Sequence, residues 1–379
     1  MNYSDIMELK LNQIFIFSNG KKRPSEKGNI PVYGGNGVLD YCDNFNTEGE
    51  SIVIGRVGAY CGSVYCENNK IWVSDNAILA KVKDDFDFYF MYYLLLHMKL
   101  NDFHIGSSQP LLTQEILNNL SAKIPNPDYQ KRSGQILKYL DDKIRLNYKL
   151  NDNLELLISN IYESWFENFS VYEETEFKES EIGLIPASWE LVELDNVCES
   201  VSKKHAFDKE QLIFLNTGDV TNGQFAHSNY SEVSSMPGQA KKSIKQNDIL
   251  YSEIRPINQH YAYVNFDSED YVVSTKLMVI RAKSISPRRL YNFLTSQKII
   301  NDLQMEAESR SGTFPQITFD IIKKKRILIA DKITEEKFSR FLEDVYEKVD
   351  SNIKENTLLS EIRNTLLTKL MAGELDLEC

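Results

Sequence analysis

Apolar residues recur in alternating steps of three and four along residues 130–166: Leu137, Leu140, Ile144, then Leu154, Ile158, Ile161 and Trp165. That spacing predicts a long helix with a coiled-coil seam. The pattern returns along residues 335–371, at Leu342, Val345, Val349, Leu359, Leu366 and Leu370. A shift of 205 residues superposes the two stretches: Lys143 falls on Lys348, Lys149 on Lys354 and Leu154 on Leu359. Neither stretch contains a proline, or a glycine after Gly134. Asn147 and Asn151 interrupt the first seam, and Asn352 and Asn356 interrupt the second at the same places. A buried seam Asn lowers stability but fixes register and partner. Because both copies repeat the interruption, these four residues are read as setting helix–helix register rather than as facing water. Replacing Asn151 and Asn356 together by Leu is then expected to raise the melting temperature and loosen register. Arg363 stands where its counterpart is Ile158, so the seam is expected to open near it.

The stretches before each helix pattern differently. Strand-like runs rich in β-branched and aromatic residues lie at residues 14–17, 51–54, 71–73 and 77–82, and residues 86–100 carry apolar positions at helical spacing. The glycines of Pro31-Val-Tyr-Gly-Gly-Asn-Gly-Val-Leu-Asp-Tyr41 read as tight turns. Past the first helix, residues 189–197, 249–254 and 275–281 read as strands or turns and 290–303 as one helix. This second stretch echoes the first. Ser74–Lys81 aligns with Ser274–Arg281 at a shift of 200, and Gly106–Thr113 with Ser311–Thr318 at 205. The chain therefore runs unit, helix, unit, helix, with divergent loops on a repeated scaffold.

Composition bounds the reading. A chain of 379 residues with 42% hydrophobic and 11% aromatic residues can build two cores. The net charge of -12 argues against a uniformly basic nucleic-acid binder. Local basic clusters nevertheless exist at Lys21-Lys22-Arg23, Lys203-Lys204, Lys241-Lys242 with Lys245, and Lys323–Arg326. The start has no cationic segment followed by an apolar run, and no apolar run approaches ~20 residues, so a cytoplasmic protein with no membrane partner is expected. Cys42, Cys61 and Cys66 are close in sequence but lack CxxC spacing or a nearby His, so no metal site is assigned.

Catalytic signatures are missing from the sequence. There is no Gly-x-x-x-x-Gly-Lys-Ser/Thr phosphate loop and no G-x-G-x-x-G between a strand and a helix. Asn126-Pro-Asp-Tyr129 approaches the Asn-Pro-Pro-Tyr of adenine methyltransferases, but no Gly-rich cofactor loop accompanies it. Pro127 suits a first helical turn and Asp128 the positive end of the dipole, so the tetrapeptide reads as a helix start. A chain without catalytic residues of its own is expected.

The order of elements, together with Pro31–Gly37, Ile54-Gly-Arg-Val-Gly-Ala-Tyr-Cys-Gly62, Gly106–Thr113, Lys123-Ile-Pro-Asn-Pro127 and Gly183-Leu-Ile-Pro-Ala-Ser-Trp189, resembles the specificity (HsdS) subunit of type I restriction-modification systems. The resemblance covers essentially the whole chain. It departs at Ala330-Asp-Lys332, which replaces the proline-rich exit, and at Ile254-Arg-Pro-Ile-Asn258, set opposite Gly55–Ala59. It implies an α+β fold: two mixed target recognition domains (1–126 and 171–331) and two long antiparallel coiled-coil helices (127–170 and 332–379), related by a pseudo-two-fold repeat. It further implies that each domain reads half of a bipartite site in double-stranded DNA while the helices set the gap. Two modification subunits would dock on the repeat and bring S-adenosylmethionine. Restriction subunits would bring ATP and Mg, and this chain would hold no cofactor. The seam from Leu137 to Trp165 spans ~42 Å at 1.5 Å per residue, against ~34–36 Å between half-sites one DNA turn apart. A coiled-coil scaffold carrying ligand-binding domains unrelated to DNA is the alternative.

Base reading needs side chains with paired donors and acceptors, Arg for guanine and Asn or Gln for adenine, on exposed loops. The first domain offers Asn36, Arg56, Tyr60, Ser107, Ser108 and Gln109; the second offers Asn216, Arg255, Asn258, Gln259, Arg310 and Thr313. Lys21, Lys22, Arg23, Lys203 and Lys204 are candidates for phosphate contact.

Overall fold

Asn126 starts the first long helix. Its side-chain oxygen accepts the Tyr129 N–H at 2.9 Å, and Pro127 and Asp128 fill the first turn of a helix that runs Pro127–Tyr162. Its counterpart, Lys332–Ala372, is capped by Asp331, whose Oδ1 accepts the Thr334 N–H at 3.1 Å. Here Glu335 completes a reciprocal cap by accepting the Ala330 N–H at 3.0 Å. The near-methyltransferase tetrapeptide is thus a helix cap. The computed structural model describes residues 6–106, 109–170, 172, 176–310, 313–375 and 377. The chain forms two compact units, one made of residues up to Asn151 together with Ser351 onward, the other of Asp152–Asp350.

In the first unit, strands Phe15–Asn19, Ala77–Val82, Ser51–Gly55 and Val64–Glu67 form an antiparallel sheet in that order. Ile52, Ile54 and Ile78 turn one face toward Phe90, Leu94 and Leu95 of helix Phe88–His97. A parallel pair, Lys27–Gly34 with Trp72–Val73, lies in a second sheet, and Met7–Lys10 pairs with Ser121–Ile124 just before the long helix. Gly134 marks where that helix packs: a Cβ there would lie 2.4 Å from Asp87 Oδ1 and 2.7 Å from the Phe90 nitrogen.

The second unit repeats this plan. Strands Cys198–Ser200, Leu277–Ala282, Ile249–Ser252 and Tyr261–Tyr263 take the same order, all antiparallel. A parallel pair, Gln211–Leu215 with Tyr271–Ser274, and a closing pair, Glu190–Glu193 with Arg326–Ile329, match those of the first unit. Ile158, Phe166, Trp189, Phe338 and Leu342 form a separate core where the helices meet this unit. Arg289 is fully buried there, its guanidinium 4.4 Å from the Phe166 ring centroid and donating to the Leu328 carbonyl at 3.1 Å.

Two local expectations change and one is sharpened. Residues 14–17 are not one strand: a helical turn, Leu11–Ile14, precedes Phe15–Asn19. The tight turn expected in the glycine-rich 31–41 stretch is Gly35-Asn36, and the rest of the stretch is strand, in a hairpin of Lys27–Gly34 and Gly37–Cys42. The helix expected over 290–303 is two, Pro287–Leu294 and Gln297–Arg310. The hydroxyls of Thr295 and Ser296 donate to the carbonyls of Tyr291 and Phe293, both at 2.8 Å, and end the first one.

Candidate nucleic-acid interface

In each unit the antiparallel four-stranded sheet ends in a loop that the unit's distal segment clamps. In the first unit Gly55 leaves no room for a side chain, since a Cβ would lie 2.2 Å from the Tyr60 carbonyl and 2.8 Å from that of Gly35. This closeness brings the Gly35-Asn36 turn against the 55–62 loop. Gly58 donates to the Pro110 carbonyl at 3.0 Å and Val57 bridges Leu111, which draws Gln109 alongside. Arg56 donates its N–H to the Asn76 carbonyl, and Lys21 bridges Ser74 of the same turn. Lys21, Asn36, Arg56, Tyr60 and Gln109 therefore gather around one loop cluster; all but the half-buried Arg56 are exposed. Arg56 Nε is buried with no hydrogen-bond partner among the described residues. Lys22 is exposed beside Lys21, whereas Arg23 lies 3.5 Å from Asp40, an ion pair. Ser107 and Ser108 fall outside the described residues.

The second unit builds the same clamp with different side chains. Ile254 bridges Gln316 as Val57 bridges Leu111, and Arg255 donates to the Pro315 carbonyl at 3.1 Å as Gly58 does to Pro110. The structural counterpart of Arg56 is thus Glu253, and Arg255 takes the place of Gly58. The alignment of Arg255 with Arg56 is off by two positions. Gly58 has φ +76° and Arg255 φ +44°. The left-handed region suits glycine and strains an arginine. Gln259, at the other end of the same short turn, is also left-handed at φ +55°. Arg255 Nη2 donates to the Thr313 carbonyl at 3.4 Å, so Arg255, Asn258, Gln259 and Thr313 share one rim. Exposed Ile257 and Met305 border it, apolar groups that a search for polar readers passes over.

Other candidates are occupied. Asn216 caps a short turn by accepting the Thr217 N–H at 2.9 Å, and Arg310 lies 3.8 Å from Glu306. In the Lys323–Arg326 run, Lys323 pairs with Asp320, Lys325 with Asp302 and Glu306, and Arg326 with Glu181. Lys242 turns its ammonium onto the Thr275 and Leu277 carbonyls. Lys203, Lys204, Lys241 and Lys245 are exposed, and a bridge between Lys204 and Lys242 makes them one patch.

The helices meet through a polar layer in the first unit. Asn147 donates to Asn356 Oδ1 at 2.9 Å and to Glu355 at 2.7 Å, and Asn352 donates to Asn151 Oδ1 at 2.7 Å. All four Asn are buried, at 7% exposure or less, so none faces water. The seam does not open at Arg363: its guanidinium reaches Asp141 at 2.6 Å, and Tyr93 donates to the same carboxylate. Away from the seam, Tyr139, Leu146 and Leu150 on one helix and Leu358 and Ile362 on the other are exposed. Among the described residues no helix is long and apolar enough to cross a membrane.

These features define a duplicated α+β protein with a loop platform in each repeat. The chain belongs to the type I restriction modification DNA specificity domain family, whose model matches residues 3–156 and again 186–362. It is 42% identical over 183 residues to the HindI specificity subunit of Haemophilus influenzae, a match covering 48% of this chain but only 40% of that relative. It is 23% identical over 302 residues to the MjaIX specificity subunit of Methanocaldococcus jannaschii, covering 76% and 69% respectively. Its fold is similar to the crystal structure of the S subunit from M. genitalium, with TM-score 0.66 at 15% identity over 98% of this chain and 97% of that one.

Proposed function

We propose that the chain is the non-catalytic DNA-reading subunit of a type I restriction-modification complex, acting in the cytoplasm. Each unit reads one part of a bipartite site in double-stranded DNA, and the paired helices set the gap. The observation that carries this reading is the repeated clamp, Gly58 to Pro110 and Arg255 to Pro315, on sheets of the same strand order with different displayed side chains. Two readers built on one scaffold require such divergence in the loops and constancy beneath them. Backbone binding is supplied by local patches such as Lys203, Lys204, Lys241 and Lys245, so the net charge of -12 is no obstacle. The exposed apolar side chains outside the seam, Leu146 and Leu150 with Leu358 and Ile362, offer surfaces for two methyltransferase subunits. Those subunits supply S-adenosylmethionine, and restriction subunits supply ATP and Mg. Methylation mapping of a host that expresses the complex tests the reading. A split, adenine-containing motif should be methylated and should vanish on deleting this chain. A heptad inserted into each long helix should lengthen its gap, and an unchanged gap would refute the ruler.

A further inference from the structure

The second unit holds a cavity of about 230 Å³ lined by Glu155, Tyr162, Tyr261, Tyr291, Asn292 and Tyr346, among others. Among the described residues that line it, Glu155 is the one charged side chain. The residue is exposed overall and makes no ion pair with a described residue; partial desolvation of its carboxyl, with Asp152 nearby, raises its pKa. An unneutralised carboxylate facing tyrosines is the arrangement that favours a cation.

The first unit shows what the same place can contain. The shift of 205 puts Tyr346 on Asp141 and Ile158 on Arg363. The capped helices Phe88–His97 and Pro287–Leu294 align at a shift of 199, through caps Asp87 and Ser286, which puts Asn292 on Tyr93 and Tyr291 on Tyr92. Tyr93 donates to Asp141 in one unit, and Tyr346 donates to Asn292 at 3.4 Å in the other. The same two positions are joined with the roles exchanged. In the first unit the Arg363 guanidinium then completes the niche on Asp141 at 2.6 Å. In the second, Ile158 supplies no charge, and Glu155, one turn earlier on the same helix, is left with open space before it.

We propose that this cavity binds a small organic cation, carrying a guanidinium or primary ammonium group, where the first unit uses Arg363. Glu155 pairs with the charge while the tyrosines enclose it. The walls come from both long helices, from Asn222 and Tyr261, and from helix Pro287–Leu294. An occupied cavity therefore ties the second unit's sheet to its helix segments. Arg288, a resident cation beside it, is neutralised by Asp350 and stacks 4.7 Å from the Tyr346 ring, outside the cavity lining.

Agmatine and putrescine are suitable probes, titrated calorimetrically into the full chain at physiological ionic strength. Saturable one-to-one binding of at least one is expected. Glu155→Gln should weaken it roughly tenfold or more, while Glu347→Gln, an exposed carboxylate on the other long helix, should leave it unchanged. The unliganded melting temperature should be the same in all three proteins, which separates lost binding from lost folding. No saturation by about 10 mM, or equal weakening by both substitutions, would overturn the proposal. So would an effect of Glu155→Gln confined to assembly with partner chains, because the cavity would then hold a partner's basic side chain. None of these outcomes depends on DNA reading.

Discussion

The side-chain amide of Asn147 donates to the side-chain carbonyl of Asn356, while Asn151 accepts from Asn352. Antiparallel packing thus joins the first Asn of one helix to the second Asn of the other. Asn151 and Asn356 are not partners, so replacing them together leaves Asn147 and Asn352 without their amide partners. Each orphaned buried group costs about 1–3 kcal/mol. Asn151→Leu with Asn356→Leu is therefore expected to lower the melting temperature, contrary to what the repeat alone implies. The matched double, Asn151→Leu with Asn352→Leu, also removes Asn352 Oδ1, already buried without a partner among the described residues, and should stabilise by about 1–2 kcal/mol. Thermal unfolding of the two double variants decides; equal shifts would show that the pairing sets nothing.

Arg363 closes the seam through Asp141 at a partly buried position. Arg363→Ile, which copies Ile158, should destabilise by about 1–2 kcal/mol, since Asp141 keeps only the Tyr93 hydroxyl. Adding Asp141→Tyr copies the second unit's pair and should recover part of the loss. Urea unfolding measures both steps, and a neutral Arg363→Ile would reduce this ion pair to a surface contact.

Much of this was legible in the sequence, for physical reasons. Long helices repeat their signal over ten turns, so the seam and the 205-residue repeat stood out. Buried runs such as Ser51–Gly55 and Ala77–Val82 read as strands from β-branched content alone. Four-residue strands such as Met7–Lys10 and Ser121–Ile124 were not legible, because their pairing joins positions over a hundred residues apart and their local pattern is weak. The break at Thr295-Ser296 depends on hydroxyls turning back on carbonyls, which composition does not announce. In the candidate site, residue types pointed to Arg255, but its true counterpart, Gly58, shows only in the backbone bonds to Pro110 and Pro315.

Asp331 links the second long helix to pH. Burial raises its carboxyl pKa, but hydrogen bonds from the Thr334 hydroxyl and from the Thr334 and Ile333 amides outweigh that and hold it below the usual value. A depressed folded-state pKa adds stability that is complete above the unfolded value, about 3.9, and is lost as pH falls through the folded one. Asp331→Ala should therefore cost about 1–2 kcal/mol at pH 7 and less at pH 3. Denaturant titrations at both pH values test this; a difference that stays constant would mean that the charge is irrelevant to the cap.

Arg255 holds a left-handed backbone where its counterpart is glycine, so relief of strain and loss of function should part company there. Arg255→Gly is expected to stabilise the chain by about 1 kcal/mol. If its guanidinium reads a base, the same change weakens binding to the recognised site by about 1–3 kcal/mol and relaxes preference at one position. Lys203→Ala with Lys204→Ala should behave in the opposite sense, weakening all sequences alike and reducing the slope of log affinity against log salt by roughly one for each phosphate no longer neutralised. Affinities of the assembled complex for its methylated motif and for single-base variants, measured across a salt series, separate the two effects. If Arg255→Gly stabilises without touching specificity, the strain at Arg255 serves the clamp to Pro315 and not the reading of DNA. If it destabilises, the bond from Arg255 to the Thr313 carbonyl outweighs the strain, and the loop's geometry would then be set by the side chain that displays it.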